Sequence, residues 1–204
     1  MRSMLGRIRR LVRRRDWEQH SVAEWNRQYT SSAWRYLSGL EQTPRYAVIE
    51  AWRRRLKPSG SVLDLGCGEG VLFEHIAADE GVDYTGVDLA QAAIDAAAHK
   101  IRDAACERFV CADLATFEPP AGSAFDVIVF NEVLYYLADP VAIVRRYRGV
   151  LAAGGLVIVS VFHANRRTWK AVDRSLAGTR LQTTFLRDFA SGKGWYLGVY
   201  QDAR

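Results

Sequence analysis

The chain of 204 residues is 49% hydrophobic and 25% charged, with a formal net charge of +5. This composition predicts one ordinary globular domain, and no apolar run approaches the ~20 residues of a membrane-spanning helix. Cys67, Cys106 and Cys111 lack the spacing of a disulfide framework or a zinc site. They predict three buried free thiols, no bound metal and a reducing, cytoplasmic setting.

The positive charge is concentrated at the start of the chain. Residues 1–15 contain seven arginines and no acid, and removing those charges from +5 leaves −2 for the remainder. Segment 1–16 therefore predicts a basic amphipathic helix on an anionic membrane surface, with a frayed, solvated terminus as the alternative. A mildly acidic remainder argues against nucleic acid as a partner, because nucleic-acid binding draws on an extended basic surface.

Residues 17–57 form a second segment, rich in tryptophan and tyrosine. Its last part, Arg45 to Leu56, has the pattern of an amphipathic helix, and Pro58-Ser59-Gly60 then breaks that helix.

The third segment, 58–204, alternates between strand and helix patterns. β-Branched runs near 61–66, 83–88, 108–112, 125–130 and 155–161 alternate with helical patterns near 70–79, 91–104, 138–151 and 166–177. Such alternation predicts parallel strands joined by right-handed helical crossovers. The last two strands, near 179–186 and 195–200, surround a glycine-containing loop and predict an antiparallel hairpin.

The first of these strands runs into a glycine-rich turn, Gly66-Cys67-Gly68-Glu69-Gly70. Such a turn lets a ligand approach bare backbone. A dinucleotide-binding fingerprint started at Gly66 requires glycine at position 71, where this chain has Val71. Asp64, inside the strand, suits an ammonium group of a ligand better than a pyrophosphate. The turn therefore favours adenosylmethionine, with a nicotinamide dinucleotide as the alternative.

Two more acids follow the next two predicted strands. Asp88 lies about 20 residues beyond the glycine turn, the separation at which an acid meets ribose hydroxyls. Asp113 is placed to accept from the adenine amino group, with Leu89 and Leu114 on the ring faces. For each acid alone, a helix N-cap or a solvated loop end is the alternative. Three strand-end acids around one crevice are more specific to a nucleoside than any one of them.

The strings VLDLGCGEG, TGVDLA, VCADL, FDVIVFNEVLYYL and LAAGGLVIVS resemble, in order and spacing, the motifs of class I S-adenosylmethionine-dependent methyltransferases. The resemblance covers about residues 45–200. It implies a Rossmann-like α/β three-layer sandwich with a mostly parallel seven-stranded sheet, in the order 3-2-1-4-5-7-6 with the last strand antiparallel. One departure is Ala153, where this family usually has proline before the paired glycines.

The resemblance also implies the cofactor, S-adenosylmethionine, with S-adenosylhomocysteine as the product. In this family, the loop corresponding to Gly66, Cys67 and Gly68 lies against the methionine part, Asp88 against ribose and Asp113 against adenine. Asn131, at the end of the fourth strand, is a further candidate for the cofactor site.

The methyl acceptor is expected at the end of the fourth strand. Glu132 can hold an acceptor ammonium or take its proton, and Tyr135 can shape the pocket, with packing at a strand-to-helix junction as the structural alternative. The string NEVLYYL resembles nodulation-type N-methyltransferases, which favours an amine or sugar acceptor, whereas ubiquinone-type enzymes favour a hydroxyl. His163, after the fifth strand, is a second candidate base.

The family usually covers its cofactor with an N-terminal segment or an insertion, so residues 17–57 are expected to form a lid. Arg45 is the candidate ligand of the methionine carboxylate. The sequence thus predicts a methyltransferase acting on a small molecule, in the cytoplasm or peripheral at the inner membrane surface. The alternatives are a noncatalytic adenosylmethionine-binding module and a nicotinamide-dependent oxidoreductase.

Overall fold

The computed structural model describes residues 20–31, 33–76 and 81–202. The basic tail lies outside the described residues, so its membrane-binding helix stays a prediction. Within the described ranges, no helix is both long and apolar enough to cross a membrane.

The described chain folds into six α-helices and seven strands, joined by short 3-10 turns. In chain order the elements are α1 (Val22–Thr30), α2 (Thr43–Leu56), β1 (Gly60–Leu65), α3 (Val71–Ile76), β2 (Val82–Asp88), α4 (Gln91–Ala98), β3 (Glu107–Cys111), β4 (Phe125–Asn131), α5 (Pro140–Arg148), β5 (Leu151–Phe162), α6 (Arg166–Ser175), β6 (Arg180–Arg187) and β7 (Gly194–Gln201). The 3-10 turns are Arg35–Ser38, Leu134–Tyr136, His163–Asn165 and Ala177–Thr179.

The seven strands form one sheet in the order β3-β2-β1-β4-β5-β7-β6. Strands β1 to β5 are parallel to one another, whereas β7 pairs antiparallel with both β5 and β6. This is the predicted Rossmann-like α/β fold, including the terminal hairpin. Strands β2 and β3 lie on one side of β1, and β4 and β5 lie on the other, so the strand order reverses beside β1. Open α/β sheets bind ligands at such a point, at the carboxyl ends of the strands.

A hydrophobic core fills each face of the sheet, because successive side chains of a strand point to opposite faces. Leu63 and Phe130 pack with α5 and α6 on one face, and Val62 and Val129 pack with α2 and α3 on the other. Strands buried on both faces explain the nearly continuous apolar runs of the sequence. The two cores hold the strand ends rigid at the carboxyl edge.

Two element boundaries differ most from the sequence prediction. Helix α4 stops at Ala98, well before position 104, and the chain then turns so that the amides of Arg102 and Asp103 donate to Glu107. Strand β5 begins at Leu151 rather than near 155. Local sequence pattern marks the existence of an element better than its ends, which tertiary contacts decide.

The prediction of three buried cysteines is wrong for two of them. Cys67 is buried, Cys106 is half-buried and Cys111 is exposed. The physical reason is that β3, which ends at Cys111, is an edge strand and so has a neighbour on one side only.

Candidate functional site

A cavity of about 700 Å³ lies at the carboxyl edge of the parallel strands. The predicted site residues that line it are Arg45, Gly66, Cys67, Gly68, Asp88, Leu89, Asp113, Leu114, Asn131, Glu132 and Tyr135. Asp64 and His163 are not among its lining residues. Its volume falls in the ordinary range for small-molecule sites, so one cavity brings together most of the residues that the motifs indicated.

The glycine turn is held in a conformation that other residues rarely adopt. Gly66 and Gly68 have φ angles of 79° and 54°, in the left-handed region that favours glycine. A Cβ on Gly66 would lie 2.4 Å from Cγ2 of Val133. The amides of Gly66 and Cys67 donate to the carbonyl of Val87 at 2.8 and 3.1 Å. The turn is therefore fixed to the end of β2 and presents bare backbone to the cavity.

Asp88 shapes the turn as well as lining the cavity. Its two carboxylate oxygens accept from the amides of Gly68 at 2.9 Å and Ala90 at 3.0 Å. Burial raises the pKa of Asp88, and these backbone hydrogen bonds oppose the rise. Each oxygen keeps a lone pair for another donor. Asp113 is exposed and accepts from the amide of Ala115 at 2.8 Å, so both acids combine a local turn contact with a place in the cavity wall.

Asp64 lies behind the cavity wall, within β1. It is 1% exposed, and one oxygen accepts from the Tyr84 hydroxyl at 2.5 Å. The other oxygen, Oδ1, is buried and accepts no hydrogen bond from the described residues. Burial raises the pKa of Asp64 to about 7, against the opposing hydrogen bond of Tyr84. A buried acceptor without a donor is costly, so Asp64 is suited to a cationic group reached directly or through water.

Glu132 stands at the end of β4 in a strained conformation, with φ of 63°. A non-glycine residue in that region costs about 1–3 kcal/mol and persists only when its surroundings hold it. Here the Tyr135 hydroxyl donates to one carboxylate oxygen at 3.0 Å and the Ser160 hydroxyl to the other at 2.9 Å. Burial raises the pKa of Glu132, opposed by the charge of Arg45 and by hydrogen bonds from Ser160, Tyr135 and Trp195.

Arg45, from α2, joins the lid segment to the end of β4. Its guanidinium donates to the side-chain oxygen of Asn131 and, at 3.0 Å, to Gln42. It also lies 4.3 Å from the centre of the Tyr46 ring. Its buried Nε makes no hydrogen bond among the described residues, which leaves a charged donor for an anionic group.

Aromatic rings of the segment predicted to be a lid line the cavity. Trp25 stacks on Trp34, with ring centres 5.9 Å apart, and meets Tyr136 edge-on at 5.1 Å. Such pairs add about 0.5–1.5 kcal/mol each beyond area burial. The Asn26 side chain accepts from the amide of Ala92 at 2.8 Å and so ties α1 to the start of α4. The lid rests on the same helix that follows Asp88.

The structure places His163 away from the cavity surface, unlike the sequence expectation. Its ring packs 4.6 Å from the Phe162 ring, while Phe162 and Ala164 on either side of it do line the cavity. Strand β5 ends at Phe162, and His163 starts a 3-10 turn. His163 therefore packs against Phe162 and is not among the residues that line the cavity.

Several cavity residues were not predicted, among them Gln42, Lys193 and Trp195. Ser160, whose hydroxyl donates to the carboxylate of Glu132, was not predicted either. Ser160 carried a signal, because it is the one polar residue in the apolar run from Leu156 to Phe162. Trp195 is the second residue of β7. Because β7 runs antiparallel to β5, it starts at the edge of the sheet where β5 ends, with Trp195 opposite Phe162. Nothing local to position 195 indicates this.

Sheet order, glycine turn and cavity together define the class I adenosylmethionine-dependent methyltransferase fold. Residues 63–157 match the family model described as a methyltransferase domain. That match confirms the resemblance inferred from the motifs.

Among relatives in sequence, the chain is similar to a ubiquinone biosynthesis O-methyltransferase of Idiomarina loihiensis. The two are 34% identical over 109 residues, which cover 53% of this chain and 44% of the relative. The chain thus spans about half the length of the relatives it matches.

Among solved structures, it is similar to the N-methyltransferase NodS of Bradyrhizobium japonicum WM9 in complex with S-adenosylhomocysteine. The TM-score is 0.75 at 20% identity, covering 90% of this chain and 98% of NodS. The plantazolicin methyltransferase BpumL, also with S-adenosylhomocysteine, gives a TM-score of 0.68 at 12% identity, with 93% of each chain covered. At these identities the neighbours establish a shared fold.

Proposed function

We propose that the chain is an S-adenosylmethionine-dependent methyltransferase that acts on an amine or a hydroxyl of a small molecule. The observation that carries the proposal is one cavity with the glycine turn and Asp88 at one end and Glu132 at the other. The neighbours NodS and BpumL, both solved with S-adenosylhomocysteine, support the choice of donor.

The residues of the cavity suit such a cofactor. We assign Asp88 to the ribose hydroxyls, Asp113, Leu89 and Leu114 to the adenine, and Gly66, Cys67, Gly68, Asp64, Asn131 and Arg45 to the methionine arm. Among the described lining residues, Arg45 and Lys193 are the cations, and Lys193 already pairs with Glu41 at 2.5 Å. Val71 stands where a dinucleotide-binding fingerprint requires its third glycine, which argues against the nicotinamide alternative.

The cofactor supplies an activated methyl group on a sulfonium, and the chain's own residues have to align the acceptor and exclude water. Alignment alone can contribute about 7–11 kcal/mol, and the aromatic lid keeps water from the cavity. We assign to Glu132 the acceptor's ammonium group or its leaving proton, with Tyr135 and Ser160 orienting the carboxylate. The NodS fold and the string NEVLYYL favour an amine, and the ubiquinone-type relative favours a hydroxyl.

Calorimetric titration tests the donor. We expect S-adenosylhomocysteine to bind and NAD not to bind, and the reverse result would overturn the proposal. A mass screen for addition of one methyl group, run with amines, sugars and phenols, then tests turnover. S-Adenosylhomocysteine binding without methyl transfer to any acceptor would instead favour the noncatalytic module.

The affinity for S-adenosylhomocysteine is expected to rise with pH. Because burial holds the pKa of Asp64 at about 7, this carboxyl is mainly neutral in the free protein below that pH, whereas an adjacent ligand ammonium favours the ionised form. Binding then releases a proton, and the association constant gains up to ~10-fold per pH unit below the pKa. Titration from about pH 5.5 to 7.5 in two buffers with different heats of ionisation measures both effects.

The matched control uses an acid on the neighbouring strand. Asp64→Asn is expected to flatten the pH profile and reduce proton release, whereas Asp83→Asn, at an exposed position of β2, leaves both unchanged. A profile that is equally steep in Asp64→Asn would remove Asp64 from the cofactor site.

A further inference from the structure

A second groove of about 560 Å³ lies beside the cavity, along the first turns of α6. It is lined by Ala164, Asn165, Arg166, Arg167 and Lys170. Ala164 and Asn165 also line the active-site cavity. The two spaces therefore border the same 3-10 turn, which follows the end of β5.

The groove is basic, and its charges are not neutralised within the described part of the chain. No described carboxylate forms an ion pair with Arg166, Arg167 or Lys170, whereas some other exposed cations are paired, such as Arg180 with Asp173 at 2.8 Å. The first turn of α6 contains no acid. Cations at the start of a helix oppose its dipole, so this arrangement is unfavourable for the isolated fold and is relieved when an anion lies among the three side chains.

The charge of the cavity itself is opposite. Its lining carries four carboxylates, Glu69, Asp88, Asp113 and Glu132. An anionic group is repelled from that wall and attracted to the groove, whereas an ammonium or hydroxyl group is accepted near Glu132. The negative charge of the cavity wall and the positive charge of the groove together orient a molecule that enters the site.

We propose that the methyl acceptor carries an anionic group, a carboxylate, a phosphate or a sulfate, which Arg166, Arg167 and Lys170 hold while the nucleophile lies near Glu132. The inference rests on the proposed function and specifies its substrate class. The methionine carboxylate of the donor is assigned to Arg45 at another point of the cavity, so the groove cations are left for the acceptor. Guanidinium groups suit this role because they bind such anions through two parallel hydrogen bonds.

The first experiment uses inorganic phosphate as the probe, titrated at low salt into the full chain saturated with S-adenosylhomocysteine. We expect R166Q/R167Q/K170Q to weaken phosphate binding about tenfold or more. The matched control, R55Q/R108Q/R145Q, removes three exposed cations elsewhere and is expected to stay within about twofold. No phosphate binding by the wild-type chain, or equal weakening by both variants, would overturn the proposal.

The second experiment compares acceptors in matched neutral and anionic pairs, such as glucosamine with glucosamine 6-phosphate and catechol with 3,4-dihydroxybenzoate. The anionic member of a methylated pair is expected to be the better acceptor, and R166Q/R167Q/K170Q to remove that preference. Equal or better methylation of the neutral member would overturn the proposal.

A third experiment distinguishes an anionic group on a soluble acceptor from a lipid headgroup. Vesicles of phosphatidylglycerol and phosphatidylcholine are added to the full chain and to both triple variants. We expect vesicle binding to fall equally in the two variants, because both lose three positive charges. A selective loss in R166Q/R167Q/K170Q would identify a lipid headgroup and overturn the assignment to a soluble acceptor. A failure of the proposed function can be told apart from a failure of the anion site. If the proposed function is wrong, the chain does not bind S-adenosylhomocysteine even before any anion is added.

Discussion

Replacing Glu132 with glutamine is expected to lower kcat/KM for methyl transfer by about 10²–10⁴-fold, the contribution of a positioned general base. Glutamine keeps the size and the planar end group of Glu132. Its amide oxygen can accept from one of the Tyr135 and Ser160 hydroxyls, which lie 3.0 and 2.9 Å from the carboxylate, and its amide nitrogen can donate to the other. It can neither take a proton nor balance an ammonium. Steady-state kinetics with the acceptor found in the mass screen measure the effect.

The pH profile gives an independent readout of the same residue. Because a base acts in its ionised form, kcat/KM rises with pH through the pKa of Glu132, which burial raises above its ordinary value. The rising limb of the wild-type profile is therefore expected above the usual carboxyl range, and it disappears in Glu132→Gln. A profile that is unchanged in the variant would exclude Glu132 as the base.

Two further variants separate the roles of this residue. Tyr135→Phe removes one donor to the carboxylate and is expected to have an intermediate effect. Glu118→Gln, at an exposed position, is expected to have none. A main effect on kcat indicates proton removal, and a main effect on KM indicates binding of an acceptor ammonium. Unchanged kcat/KM in Glu132→Gln would refute the assignment of the acceptor to this end of the cavity.

Replacing Asp88 with alanine is expected to weaken S-adenosylhomocysteine binding by about 10²–10⁴-fold, the loss of two charge-assisted hydrogen bonds to the ribose. The same change removes the acceptor of the Gly68 amide, 2.9 Å away, so the glycine turn loses part of its support as well. Calorimetric titration at pH 7.5 gives the dissociation constants.

The control lies on the same strand. Asp83→Ala removes an exposed acid at the opposite end of β2 and is expected to leave the affinity unchanged. Thermal unfolding of both variants distinguishes a lost ligand contact from a damaged fold, because only the latter lowers the melting temperature of the free protein substantially. Binding by Asp88→Ala as tight as that of the wild-type chain would place the ribose elsewhere.

The end of the cavity formed by the glycine turn and Asp88 could be predicted from the sequence because its residues lie in short local motifs. A buried strand, a turn that requires glycine at Gly66 and Gly68, and an acid that follows the next strand at Asp88 are all encoded within short stretches. Parallel strands then bring those stretches to one edge, whatever the details of packing. The terminal hairpin followed from the pattern of the last two strands, whereas the sheet order was implied by the resemblance to the methyltransferase family.

The acceptor end depended on contacts between distant parts of the chain. Arg45 reaches Asn131 across 86 positions, and Ser160 meets Glu132 because β4 and β5 pair Asn131 with Ser160 in register. His163, predicted at the cavity, begins the 3-10 turn that follows β5 and is not among the cavity's lining residues.

By itself, then, the sequence determined the fold and the nucleotide-like end of the cavity, since both depend on periodicity, on glycine conformation and on acids at strand ends. Only the tertiary structure decided which side chains surround Glu132, how the aromatic lid rests on α4, and that a basic groove shares Ala164 and Asn165 with the cavity. Those features arise from strand register and helix packing. Such contacts join residues that are far apart in the chain, so the sequence around either residue does not predict them.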